Sequence, residues 1–175
     1  MWSKEKKLLE SKLASSLKGK IKYNLEGGRK TTWGATYKVE ILYNNVPVIK
    51  FGEGINYMTG HYEFLERRKL AKPTWSKEEN YEMFLKAQNR LWNEGIYTTN
   101  IFFRGMCKYL SLSIDDALNS EQWMIRTFAL LDSRLGKRRL IRLKDTIKEY
   151  PKILIDIYKI RVKEEGLDNE MFDLW

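Results

Sequence analysis

Any chemistry in this 175-residue chain has a small stock of reactive side chains to draw on. There is one histidine, His61, and one cysteine, Cys107. A Ser-His-Asp arrangement would have to use His61, and a lone histidine is more often packed or solvated than catalytic. Cys107 follows Met106 in an apolar stretch of helical spacing, so it reads as a buried small hydrophobe rather than a nucleophile. One histidine and one cysteine exclude the usual zinc sites, which take several such ligands. Neither a G-x-x-x-x-G-K-[ST] phosphate loop, a G-x-G-x-x-G turn nor a G-x-S-x-G elbow occurs. Gly52-Glu53-Gly54 lacks a third glycine and a following helix, and reads as a turn. The acid pairs Glu78-Glu79 and Asp115-Asp116 fall at predicted helix starts, where a carboxylate offsets the helix dipole. Glu53, Glu63, Glu66 and Asp132 are too scattered to form a metal-nuclease site. The expectation is therefore a non-enzymatic protein with no cofactor and no metal.

One stretch is chemically dense: Leu131-Asp132-Ser133-Arg134-Leu135-Gly136-Lys137-Arg138-Arg139-Leu140, with Arg142 just beyond. Guanidinium forks suit phosphate and carboxylate, so Arg134, Lys137, Arg138, Arg139 and Arg142 form a candidate anion or partner patch. A structural reading competes. An apolar helix stopping at Gly136 would place these cations near its last carbonyls, which the helix dipole favours. Asp132 would then pair with Arg138 or Arg139 across the turn.

The formal net charge is +9, and it is concentrated. Residues 1–30 hold 9 basic and 3 acidic side chains, and residues 137–163 hold 10 and 3. Residues 31–136 are nearly balanced at 13 and 12, and residues 164–175 hold five acids and no base. If the fold joins the two basic blocks, they make one positive surface that attracts nucleic acid or an acidic protein. No apolar run is long enough to span a bilayer, and the start lacks the apolar core of a secretory signal. A single cysteine cannot form an internal disulfide, so the expected compartment is the cytoplasm.

The patterning around these residues predicts an α+β fold in one domain. Trp2, Leu9, Leu13 and Leu17, widened by Leu8, predict a helix over 2–18 that stops at Gly19. Ile21, Tyr23 and Leu25 alternate with polar residues and predict a strand. Gly27-Gly28-Arg29-Lys30 reads as a turn. Tyr37, Val39, Ile41 and Tyr43 predict a second strand, Asn44-Asn45 a two-residue hairpin turn, and Val46–Phe51 a third strand. Pro47 belongs at that strand's end or at an edge. Ile55–Met58 allows a fourth short strand, and Tyr62–Lys72 a short helix or a loop. From Ser76 the chain turns helical. Ser76-Lys77-Glu78-Glu79 is a capping box, Tyr81, Phe84, Leu85, Leu91 and Trp92 form a stripe, and Gly95 closes the helix. Helices follow over 99–110, from Ser113 to about Leu118, and through Met124, Phe128, Leu131 and Leu135. A basic helix over 138–147 and a last one from Pro151 to Gly166 complete the pattern. The tail is expected to fold back through Met171, Phe172 and Trp175, or to fray. The result is an N-terminal helix, a small antiparallel meander of three to four strands, and a bundle of four to five helices. Its halves are residues 1–72 and 73–175.

The opening Met1-Trp2-Ser3-Lys4, the segment Ser16-Leu17-Lys18-Gly19 and the run Leu112–Ser120 resemble an uncharacterised family of small bacterial cytosolic proteins. So do the Leu131–Leu140 cluster and Tyr158-x-x-Arg161 followed by Glu164-Glu165-Gly166. Where that family is expected to have Asp-Arg-Arg, this chain has Asp132-Ser133-Arg134. The resemblance implies no established activity. It carries a loose association with immunity proteins that accompany secreted bacterial toxins. The leading expectation is thus a protein-interaction domain, an immunity protein being its most specific form. A nucleic-acid-binding protein using residues 1–30 and 137–163 is the alternative.

Overall fold

A computed structural model describes residues 2–31, 34–52, 55–70, 76–93 and 95–167. The expected fold-back of the tail lies outside these residues, as does Glu53-Gly54. The described chain is α+β, with eight α-helices and four strands. The helices are α1 (Trp2–Lys12), α2 (Ile55–Leu70), α3 (Lys77–Asn93), α4 (Thr99–Leu110), α5 (Ile114–Leu118), α6 (Trp123–Leu131), α7 (Lys137–Arg142) and α8 (Lys152–Glu164). The strands are β1 (Ile21–Thr31), β2 (Gly34–Tyr43), β3 (Val46–Gly52) and β4 (Ile96–Tyr97), in the order β1-β2-β3-β4.

Asn44 and Asn45 both take positive φ, 50° and 65°, and join β2 to β3 as the hairpin turn their residue type predicts. Pro47 is the second residue of β3, ahead of Lys50 and Phe51, where β4 pairs. A missing N–H there costs no bond to β4. Other expectations change. Gly27–Lys30 continue β1 rather than turning, because pairing along a sheet outweighs local turn preference. The fourth strand is not Ile55–Met58. It is Ile96-Tyr97, which runs parallel to β3 and so makes the sheet mixed. Ile55–Met58 instead open α2, a 16-residue helix in which Glu63 and Arg67 pair at i, i+4 with 2.7 Å between them. A four-residue segment is too short for its pattern to separate strand from helix.

The chain forms two compact units that do not follow a division at residue 72. One comprises Met1–Tyr23, Leu42–Val46 and Phe102–Trp175; the other comprises Asn24–Ile41 and Pro47–Ile101. The first unit centres on aromatic side chains. Phe128 stacks on Tyr109 at 5.2 Å and meets Phe102 edge-on at 5.6 Å, with Tyr23 at 6.0 Å. Phe102, Met106 and Tyr109 form the buried face of α4. Gly105 lets α6 come close: a Cβ added there would stand 2.8 Å from Met124 Cγ. Leu9, Leu13 and Leu17 are buried as their spacing predicts, but α1 stops at Lys12 and Leu8 is 45% exposed. A 3-10 turn, Ser15–Leu17, completes the segment.

In the second unit α3 packs against α2 and β4, and the sheet residues Val39, Ile41, Ile49 and Phe51 are buried. The capping box forms in full. Glu79 N–H donates to Ser76 Oγ at 3.1 Å, and Ser76 N–H donates to Glu79 Oε2 at 2.9 Å. Gly95, at φ +73°, follows the helix end. The stripe of α3 is Met83, Ala87 and Leu91, at i, i+4 and i+8. Tyr81 and Phe84, expected inside, are 63% and 39% exposed.

Candidate functional site

The dense cluster folds in a way its spacing does not announce. α6 ends at Leu131 because Asp132 adopts extended backbone, φ −73° and ψ 140°. Asp132 then bridges to Leu13, flanked by Ala14 N–H to Leu131 O at 3.0 Å and Ser133 N–H to Lys12 O at 2.8 Å. The same backbone pairing ends α1. Gly136 is therefore not a helix stop. It is the N-cap of α7, and Lys137–Arg142 are that helix rather than cations at the end of α6.

Asp132 is 1% exposed. Its Oδ1 accepts the Arg134 N–H at 2.8 Å, and its Oδ2 accepts Arg134 Nε at 2.9 Å, Arg134 Nη2 at 2.6 Å and the Tyr109 hydroxyl at 2.5 Å. The partner is Arg134, not Arg138 or Arg139. Arg134 also donates Nη1 to Leu112 O at 3.2 Å, so its fork is committed inside the fold. Burial pushes the Asp132 carboxyl upward, but the bonds from Arg134 and Tyr109 outweigh it and hold the group below the usual carboxylate range. Burial, helped by the Asp132 charge, raises the Tyr109 phenol far above its ordinary value.

Arg161, part of the late Tyr158-x-x-Arg161 motif, is the hub of the cluster. It is 2% exposed and donates to Leu131 O at 3.3 Å and Leu135 O at 3.0 Å, while Glu165 pairs with it at 3.1 Å. Tyr158, one turn earlier, donates to Leu140 O at 2.7 Å, and burial pushes its phenol up to about 12. α8 thus clasps the whole Leu131–Leu140 stretch. The sequence signal was available: Arg161 follows Leu154, Ile157 and Tyr158 on the apolar stripe of α8.

The remaining cations divide. Lys137 Nζ donates to Glu165 O at 2.7 Å, and Arg139 pairs with the exposed Asp115. Arg138 and Arg142 are exposed and have no ion pair among the described residues. Arg139 and Arg142 share a cleft of about 360 Å³ whose apolar wall is Leu118, Leu143 and Tyr150. Asn119 and Thr146 add polar groups there. The two basic blocks also meet. Lys20, from the first, pairs with Glu164, which accepts the Tyr43 hydroxyl at 2.6 Å. Glu165, beside it, accepts Ser16 Oγ at 2.7 Å and faces Lys137 from the second block at 3.9 Å. Bonds from Lys20 and then Tyr43 hold the Glu164 carboxyl below its ordinary value.

Cys107 is exposed, contrary to its expected burial. It lies on α4 away from the face of Phe102, Met106 and Tyr109. His61 lies in α2, and its side chain is outside the described residues. Glu63 and Glu66 bond to Arg67 and Arg90, and no group of three or more metal-ligating side chains occurs among the described residues. None of the described helices is long and apolar enough to cross a membrane.

No curated protein and no solved structure matches the chain. The model of the SF0329 protein family matches residues 1–162, a span that takes in the Leu131–Leu140 cluster and Arg161, the residue that clasps it. By that match the chain belongs to the SF0329 protein family.

Proposed function

We propose that this chain is a non-enzymatic protein-interaction domain, an immunity protein that neutralises a bacterial toxin being its most specific form. What supports the reading is the exposure of three aromatic side chains on α2 and α3. Phe64, Tyr81 and Phe84 are 48%, 63% and 39% exposed. Arg67 of α2 bonds to Asn80 of α3, which marks one flank of the pair. Phe64 precedes Arg67 by three positions and Phe84 follows Asn80 by four, so both rings stand on that flank, and Tyr81 precedes Phe84 by three. Single exposed apolar residues are ordinary, but three aromatics gathered on one flank are the kind of anchor that dominates binding energy. The Arg68 guanidinium lies 4.3 Å from the Phe64 ring centre and adds a cation beside that ring.

The test compares affinity capture by the native chain and by a Phe64→Ala, Tyr81→Ala, Phe84→Ala variant. A stoichiometric protein partner that survives high salt, and is lost with the variant while its unfolding midpoint holds, supports the reading. Capture that is indifferent to the three substitutions overturns it.

The alternative, nucleic-acid binding, draws support from the meeting of the two basic blocks at Glu164-Glu165. It requires binding whose logarithm falls steeply with the logarithm of salt concentration, and which Lys137→Ala, Arg138→Ala, Arg139→Ala removes. The absence of a gel shift at low salt excludes it.

A further inference from the structure

We infer that the cleft bordered by α5, α7 and the 3-10 turn Thr146–Glu149 binds a phosphate monoester carried on a small apolar body, with Asp115 occupying Arg139 until the ligand arrives. Two arginines, Arg139 and Arg142, line one cleft. A carboxylate is satisfied by one fork, whereas a phosphate dianion has three oxygens to share between two. The volume, about 360 Å³, falls in the range of small-molecule sites and is far more than a bare phosphate fills. Leu118, Leu143 and the Tyr150 ring supply an apolar wall for the rest of the ligand. The Arg126 guanidinium lies 4.4 Å from the Tyr150 ring centre and helps fix that ring.

Asp115 supplies the second half of the inference. Its side chain is 72% exposed, yet it bonds to Arg139 Nη2. An ion pair this open to water is weak, so an incoming dianion displaces it readily. Arg142 has no such pair among the described residues and stands ready. The cleft shares no residue with the exposed aromatics of α2 and α3, so the two readings stand or fall independently.

The experiment is calorimetric titration of the full chain with phenyl phosphate, inorganic phosphate and benzoate, at low salt. Phenyl phosphate is expected to bind saturably, and more tightly than either of the others. Arg142→Ala should weaken it by about tenfold or more, as expected for losing a charge-assisted fork. Asp115→Asn should tighten it several-fold while leaving the circular dichroism spectrum unchanged. No saturable binding of phenyl phosphate, equal binding by Arg142→Ala, or weaker binding by Asp115→Asn overturns the assignment. Tighter binding of benzoate overturns the choice of phosphate. A short single-stranded oligonucleotide that binds through Arg142 more tightly than phenyl phosphate would reassign the cleft to a polynucleotide.

Discussion

Asp132 and Arg161 are charges placed where water cannot reach, and each is kept there by directed partners. A buried carboxylate is costly unless donors replace its hydration, and here Arg134 and Tyr109 supply them. Removing one member of such a set leaves the others desolvated and unpaired. Asp132→Asn is therefore expected to lower unfolding free energy by about 3 kcal/mol in denaturant titrations. Because Asp132 is held below the usual carboxylate range, its contribution is complete above the unfolded value of roughly 3.9 and is lost as pH falls through the lower folded value. The native chain should then lose more stability than Asp132→Asn between about pH 5 and pH 2. A variant with the same acid sensitivity would show that Asp132 is not the group responsible. None of this was legible in the spacing of the cluster. The sequence places an acid two residues before an arginine and six and seven before two more, and only the extended backbone at Asp132 selects Arg134.

The elements show where local sequence suffices. Ser113 caps α5 by accepting the Asp116 N–H at 3.1 Å, as its position three residues ahead of Asp116 predicts, and Ser76 does the same for α3. Ser76→Ala should cost about 1 kcal/mol, read as a lower denaturation midpoint with unchanged slope. Such motifs act within one helical turn, so residue type and spacing determine them. Long-range approach is different. Gly105 looks like a weak point in the middle of α4, whereas in the fold it is the surface against which Met124 packs. Gly105→Ala should destabilise by about 1–3 kcal/mol despite better helix propensity, since a Cβ would overlap both Cβ and Cγ of Met124. Met124→Ala in the same chain should recover part of that loss in a double-mutant cycle, and purely additive costs would refute the proposed clash. The same limit explains α3. Its period was legible and Leu91 is buried as expected, but the burial of Met83 and Ala87 in place of Tyr81 and Phe84 was set by tertiary packing.

At the scale of the whole molecule, charge is the organising quantity. A chain of net charge +9 brings cations from both of its basic blocks to Glu164 and Glu165, so those two acids offset part of the repulsion between them. Glu164→Gln, which removes the partner of the half-exposed Lys20, should cost about 1 kcal/mol at low salt and less at high salt, measured as the difference in unfolding midpoint. Equal loss at both ionic strengths would mean that packing, not charge, is the cause. The chain alone determined its α+β class, its Ser76 and Ser113 caps, its asparagine hairpin and the clustering of its charge, because these follow from composition and contacts a few residues apart. Tertiary structure decided which arginine Asp132 keeps, which cations remain exposed, where the fourth strand comes from and which aromatics face water. Those outcomes are set by partners from distant parts of the chain, whose identity no local spacing encodes.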